Sequence, residues 1–315
     1  MELAAAIQDE AYELSHNLVK EVEDLKPKQE IFIHYSSLEA FYSIMDTSRL
    51  RFTSVKSTND PSEFSYGREI VARGLKEALD GAAPVERTWI AGCIERLRDQ
   101  NFRAFVFCMS EAVDDEAEVG ELSQWRLYGA DGRGIALVID TSTEARRNQL
   151  LRLTSRPRRV MYGDADGLGL VKKEIRGFLD GIPTLSPATR ELLAAEPESA
   201  AAYLCNRVFW LPSVIKHKAY RHEREVRLIR GDIGEQAGNP LVFYDKSTIR
   251  RPAIELPIAE QAGEAPDEYN LSPIARVIIG PSGDQAAIED SIRFFLEARK
   301  WRLTVSRSDI PYRAV

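Results

Sequence analysis

Apolar residues return along this chain with two different periods, and the switches between them divide it into elements. Over residues 2–25, Leu3, Ile7, Tyr12, Leu14, Leu18, Val19, Val22 and Leu25 recur at roughly helical spacing among acidic residues and stop before Pro27. That pattern predicts an amphipathic N-terminal helix within residues 1–28. Ile31 to Tyr35 predicts a strand, and Ser36 and Ser37 follow as candidate caps for a helix from Leu38 to Met45, where apolar residues repeat every three or four positions. Leu50 to Ser54 reads as a second strand. Asn59-Asp60-Pro61 reads as a turn opening a helix, because Asn and Asp bond to nearby backbone and Pro tolerates the first helical turn. Residues 63–100 predict two helices interrupted near Gly81 to Pro84.

Phe102 to Met109 predicts a buried strand ending in Ser110 and Glu111, followed by an acidic segment, 112–121, that reads as a mobile loop. Gly134 to Asp140 and Arg159 to Tyr162 predict further strands around a helix starting near Ser142, and 170–210 returns to helix. Short runs at Glu225–Ile229, Leu241–Tyr244, Arg250–Leu256 and Ala275–Gly280, bounded by Gly, Pro or Asp, make the second half rich in sheet; a helix over 284–299 and a strand over Arg302–Ser306 close it. Helices and strands mix without regular alternation or a fixed-period repeat. An α+β fold is therefore predicted, with the N-terminal helix over 1–28, a single α+β domain over 29–315, and helical insertions at about 63–100 and 170–212.

Composition narrows the partners. A 315-residue chain with 44% hydrophobic residues has ample material for a core. A formal charge of −7 argues against a general electrostatic grip on nucleic acid and leaves room only for a local basic patch. The densest candidate is Arg146, Arg147, Arg152, Arg156, Arg158 and Arg159, read first as a solvated loop and helix face and alternatively as a rim facing a polyanion. Cys93, Cys108 and Cys205 lie far apart without paired spacing, which suggests neither a zinc site nor a disulfide framework; Cys108 reads as buried and inert. The N-terminus lacks a basic start followed by an apolar core, and no stretch approaches the roughly 18 apolar residues of a membrane span, so a reducing cytoplasm is the expected setting.

Two segments carry candidate chemistry. His34 interrupts an apolar run just ahead of a helix, and a neutral imidazole there donates from one nitrogen and accepts on the other, which suits a ribose hydroxyl or a phosphate oxygen; the alternative is a satisfied core histidine. Glu223 and Glu225 are two residues apart in a strand-like run, so period-two alternation places them on one face together with Arg227. Arg227 either clamps a pyrophosphate or neutralises the carboxylates, which on spacing alone also fit a solvated face paired with Arg221, Arg224 or Arg227. One of Ser36 and Ser37 is expected to cap the next helix, and the helix start also offers amides to an anion. Asn59 and Asp60 read equally as turn formers and as groups orienting a ribose or base, while Trp125 and Tyr128 read as core or cleft wall ahead of a stacking platform.

The ordered set His34-Tyr-Ser-Ser-Leu38, Leu50-Arg-Phe52, Asn59-Asp-Pro-x-Glu63, Cys108-Met-Ser-Glu111, Trp125-x-x-Tyr128 with Gly134, Tyr162, Tyr220-x-x-Glu223-x-Glu225-x-Arg227 and Ile278-Ile-Gly280 resembles a bacterial family, domain-of-unknown-function family 2971, across nearly the whole chain. That family implies a fold neighbourhood and not a reaction. A His-bearing first strand running into a helix, a central aromatic and a Glu on a late strand resemble, more distantly, the ADP-ribosyltransferase superfamily. That resemblance implies a split β-sheet core and consumption of NAD as substrate, with no metal. It gives His34 the ribose-holding role and Glu225 the contact to the nicotinamide ribose. Glu223 would position or deprotonate an acceptor, and Tyr35, Tyr128 and Tyr162 compete to stack on nicotinamide. Ser36, Asn59, Ser110 and Arg227 complete the expected nucleotide contacts. The implied activity is transfer of ADP-ribose to a protein or nucleic acid, or hydrolysis of NAD, with phage defence or stress response as the setting. A catalytically silent nucleotide-sensing or nucleic-acid-associated module is the alternative. A metal-dependent nuclease using His34, Asp60, Glu63, Glu223 and Glu225 ranks last, because no compact ligand motif supports it.

Overall fold

The run Ile31–Ser36 forms strand β1, and its ladder with β4, Ile135–Asp140, pairs every residue from Ile31↔Asp140 to Ser36↔Ile135 in antiparallel register. All but the last residue of β4 are buried, as its unbroken apolar sequence requires of a strand covered on both faces. Ser37 caps the following helix, α1 (Leu38–Thr47), by accepting from the amide of Ala40 at 3.2 Å. The helix buries Phe41, Ile44 and Met45 at helical spacing, and Ser48, at φ 50°, turns the chain into β2, Arg49–Ser54.

In this computed structural model, residues 9–10, 12–15, 22–60, 62–99, 103–153, 156–231, 241–246, 249–258 and 272–313 are described. The chain divides into two compact units, each discontinuous in sequence: residues 1–26, 54–104 and 158–222 form one, and 27–53, 105–157 and 223–315 the other. The first is helical. Its main helices are α2 (Glu63–Gly81), α3 (Pro84–Asp99), α7 (Asp164–Gly181), α8 (Pro187–Ala195) and α9 (Pro197–Val208), and both helical stretches expected from the sequence fall within it. Of the N-terminal helix expected over 2–25, residues 9–10 and 12–15 are helical, Val22 is extended and Glu23–Leu25 form a 3-10 turn; residues 2–8, 11 and 16–21 lie outside the described residues.

The second unit holds a mixed sheet in the order β12-β11-β4-β1-β3-β2-β10-β9. Here β3 is Ala104–Glu111, β9 Leu241–Lys246, β10 Ile249–Pro257, β11 Ile274–Ile279 and β12 Thr304–Arg307. The parallel β11–β12 pair is joined by helix α10, Gln285–Ala298, as a parallel connection demands. β8, Glu225–Gly231, is bonded to β3 outside that order. The mixed α/β class expected from the sequence is present. The expected strand over Arg159–Tyr162 is not continuous: Arg158–Arg159 and Met161–Tyr162 are separate two-residue strands, β5 and β6. The acidic segment expected as a mobile loop contains a short helix, α4 (Glu116–Val119), and leads into α5, Leu122–Leu127.

Two apolar layers cover the sheet's faces. Phe32, Phe107, Met109, Leu137, Val226, Leu228 and Val277 belong to the larger, and Ile33, Tyr35, Trp125, Ala136, Val138 and Ile278 to the smaller. Glycine fixes the spacing at one end of β4. A Cβ on Gly134 would lie 2.1 Å from the carbonyl oxygen of Ser36, and one on Gly280 would lie 2.4 Å from that of Gly132. Replacing Gly134 by Ala should lower stability by about 1–3 kcal/mol or more in urea unfolding; an unchanged midpoint would mean that the backbone there yields freely.

Candidate functional site

The site is organised around β3, which is bonded to β1, β2 and β8. A strand has two edges, so two of these three share one, and the sheet forks. The β1–β3 ladder consists of Phe32↔Glu111 and Ile33↔Ser110. Farther back along β3 a side chain takes over: Nδ1 of His34 meets the carbonyl oxygen of Cys108 at 2.8 Å. The imidazole is half-buried and stacks on Phe107 at 4.3 Å between ring centroids. Desolvation lowers its pKa, outweighing the opposing backbone hydrogen bond, so the ring is held neutral. A neutral ring that donates from Nδ1 to a carbonyl keeps Nε2 as an acceptor. Cys108, expected to be buried, is half-buried beside it.

Side-chain alternation places the other candidates. Val226 and Leu228 belong to the larger apolar layer, so Glu225 and Arg227 project to the opposite face of β8. On β3, Phe107 and Met109 belong to that same larger layer, so Ser110 projects to the face shared with Ile33 and Tyr35. Tyr35, Ser110, Glu225 and Arg227 are therefore brought to one side of the sheet. His34 and Ser36 alternate with Tyr35 and have the other parity, His34 being turned into the fork.

Arg227 is 1% exposed and grips Glu225 bidentately, Nε to Oε1 and Nη2 to Oε2, both at 2.8 Å. Glu223 is also buried and accepts from the hydroxyl of Tyr128 at 2.7 Å. The expectation that Glu223 and Glu225 share a strand face needs correction. Glu223 ends a 3-10 turn, Lys218–Glu223, and Arg224 adopts a left-handed φ of 44°, so the strand begins only at Glu225 and period-two alternation does not reach back. Glu223 joins the cluster through Tyr128 instead.

Arg224 fastens the surroundings. Its carbonyl accepts from the amide of Glu111 at 3.0 Å, and its guanidinium spans both oxygens of Glu116 at 2.5 and 2.6 Å. Glu121 accepts from the amide of Gln124 and from Ser123, and its own amide donates to the hydroxyl of Tyr35 at 2.8 Å. Burial opposes ionisation of Glu121, but the hydrogen bonds from Ser123 and Gln124 and the charge of Arg224 outweigh it and hold its carboxyl below the ordinary range. Burial pushes the Tyr35 phenol well above its usual range, so it remains protonated. Trp125, 0% exposed, packs edge-on against Tyr35 and is core. Glu116, Glu121 and Gln124 escaped the sequence reading, and Arg224 entered it only as a partner for Glu223 or Glu225; only the spacing of Glu121 to Gln124 across a helix start could have signalled one of them.

Other candidates are committed elsewhere. Asn59 and Tyr162 belong to the helical unit, where Asp60 bonds Ser62 and Glu63 pairs with Lys216 at 3.5 Å. Among the described residues no group of three or more His, Cys, Asp or Glu is arranged to hold a metal ion, and no helix is long and apolar enough to cross a membrane. The arginine run is divided: Arg146 pairs with Asp140, Arg147 with Glu30, and Arg158 is buried over the ring of Trp210.

Fold and site define a mixed α/β protein with a buried carboxylate–guanidinium cluster beside the fork of its sheet. The model of a family described as "Protein of unknown function (DUF2971)" matches residues 124–228, from Gln124 to the middle of β8, and so takes in Tyr128, Glu223, Glu225 and Arg227. The family recognised from the sequence motifs is borne out over that stretch. Neither the curated proteins nor the solved structures give a match.

Two outcomes follow from the geometry. Arg227→Met leaves Glu225 buried without its fork and should cost about 3–5 kcal/mol in denaturant unfolding, whereas Glu225→Leu with Arg227→Leu should recover most of that. Since the folded value of His34 lies below the ordinary 6.5, the unfolded chain binds more protons, and the corresponding stability is present above that pH and lost as pH falls through it. The melting temperature of the wild type should thus decline more steeply below about pH 6.5 than that of His34→Gln, and parallel profiles would show that the ring takes up its proton without cost.

Proposed function

We propose that the protein consumes NAD as an ADP-ribosyltransferase-like enzyme built on a split β-sheet of that superfamily's kind. It breaks the bond between nicotinamide and ribose and passes ADP-ribose to a protein or nucleic-acid acceptor, or to water. One observation carries this reading: β3 stands between the strand of His34 and the strand of Glu225, and β1 leaves it at a fork where a neutral imidazole presents an acceptor nitrogen.

In this reading Nε2 of His34 accepts from a ribose hydroxyl. As the glycosidic bond breaks, nicotinamide leaves with the bonding electrons and positive charge grows on the sugar, which the fixed carboxylate of Glu225 stabilises more in the transition state than in the ground state. Arg227 fixes the orientation of that carboxylate through its two bonds. Glu223, held by Tyr128, takes the proton of the acceptor as its nucleophile bonds to the sugar carbon. Of the tyrosines that could supply an aromatic face, Tyr128 is favoured by its direct bond to Glu223, whereas Tyr35 is buried in the smaller apolar layer.

A second reading, a nucleotide-sensing module without turnover, is favoured by the occupation of both Glu225 oxygens by Arg227. Nicotinamide release from NAD, with and without whole-cell protein and nucleic acid, separates the two. Wild-type release that falls about 10²–10³-fold in Glu225→Gln, with folding verified by circular dichroism and Glu223→Gln as a second variant, is expected. Nucleotide binding that depends on His34 with no release in any mixture would instead establish the sensing module.

A further inference from the structure

The helical unit holds a cleft that the NAD reading does not use. It has a volume of about 150 Å³ and lies between α2 and α3, bounded also by Phe209 and Pro212. The sequence sets its walls. Val71 and Leu75 bring a buried line of α2 to it, Ile94 and Leu97 line it from α3, and Phe64 adds a second ring to that of Phe209. Gly67 lets α2 press against the turn that carries Pro212, since a Cβ there would lie 2.6 Å from the Pro212 carbonyl oxygen.

Charge marks the rim. Arg68, Ala72 and Lys76 follow one another at four-residue intervals along α2, so they share one stripe, and all three are exposed. Arg98 adds a third cation from α3. Among the described residues that line the cleft none is acidic, in a chain whose net charge is −7. Arg98 is paired with Glu95 at 2.7 Å, whereas Nη2 of Arg68 donates to the carbonyl oxygen of Leu97 at 3.1 Å. That bond ties the Arg68 guanidinium across from α2 to α3 and uses one of its five N–H groups, leaving others for an oxyanion, which a guanidinium fork holds through two bonds.

The size of the cleft selects the body of its ligand. A cavity of about 150 Å³ lined by Leu, Ile and Phe holds a benzene ring, and the apolar lining here is of the same kind. We propose that this cleft is a binding site for a small monocarboxylate with a ring-sized apolar body, the ring lying against Val71, Leu75 and Ile94 and the carboxylate on Arg68. Lys76 adds electrostatic attraction at the rim. The assignment is independent of the NAD reading.

The test uses the full chain and two probes that differ in charge, 3-phenylpropionate and its neutral amide, followed by calorimetric titration and ligand-observed saturation-transfer NMR. The wild type should bind the acid with a Kd on the order of 0.1–1 mM and the amide about tenfold more weakly. Arg68→Met should weaken the acid about tenfold and leave the amide unchanged. Ala72→Phe, which sets a ring at the rim from an exposed helix position, should weaken both at least about tenfold, and both variants should melt within about 2 °C of the wild type. Equal binding of acid and amide by the wild type would overturn the proposal, because the cations would then read no anion. Undiminished binding to a folded Ala72→Phe would overturn it by placing the ligand elsewhere, and absence of acid binding up to about 10 mM would overturn it outright. The comparison of acid with amide needs the wild type alone, so it decides even where a variant fails to fold.

Discussion

The buried pair of Glu225 and Arg227 is the constraint around which the sheet-bearing unit is arranged. Two charges enclosed in a sheet are not a stability gain over apolar side chains of similar volume, since desolvation offsets much of their attraction. They demand instead that neighbouring structure be polar and well placed. The demand is met by segregation: the apolar residues of β8 turn to the larger core, while the opposite face is covered by α4, α5 and the arginine and carboxylates that tie them down. A cluster retained at such cost is better understood through its position beside the fork than through any contribution to folding.

The two flanks of β3 differ in kind. On the β1 side a desolvated, neutral imidazole stands against an aromatic ring and a backbone carbonyl. On the β8 side the polar groups are acidic and basic side chains, and hydrogen bonds fix each carboxylate, Glu223 from Tyr128 and Glu225 from Arg227. Under the proposed reading that contrast suits a substrate whose sugar hydroxyls need a neutral acceptor while its reacting carbon needs negative charge. The imidazole's own polar partner is a carbonyl, not an acid.

Much of this architecture was legible in the sequence because burial leaves long, simple signatures. β3 and β4 read correctly as apolar runs since both of their faces are covered, and the break near Gly81 to Pro84 divided α2 from α3 as expected. Ser37 rather than Ser36 is the cap, a choice that only backbone geometry could make. What stayed hidden depended on single dihedral angles or on pairings distant in sequence. The left-handed Arg224 removed Glu223 from the strand, and nothing in a run of alternating charged residues announces a positive φ on arginine. The acidic segment looked free because its anchor, Arg224, is more than a hundred residues away along the chain. Glu225 and Arg227 looked like a solvated ladder, since spacing alone does not tell which face of a strand is covered.

The turn at Arg224 has a further consequence, for the fidelity of folding. Slipping β8 by one residue against β3 would swing Val226 and Leu228 among the carboxylates and press Glu225 and Arg227 into hydrocarbon. Most strands resist such slippage only through the summed preference of their side chains. Here the backbone contributes as well, because Arg224 is held at its carbonyl by Glu111 and at its guanidinium by Glu116, and its left-handed turn fixes where the strand is allowed to start. One residue thus acts as an index pin that sets the phase of the whole strand.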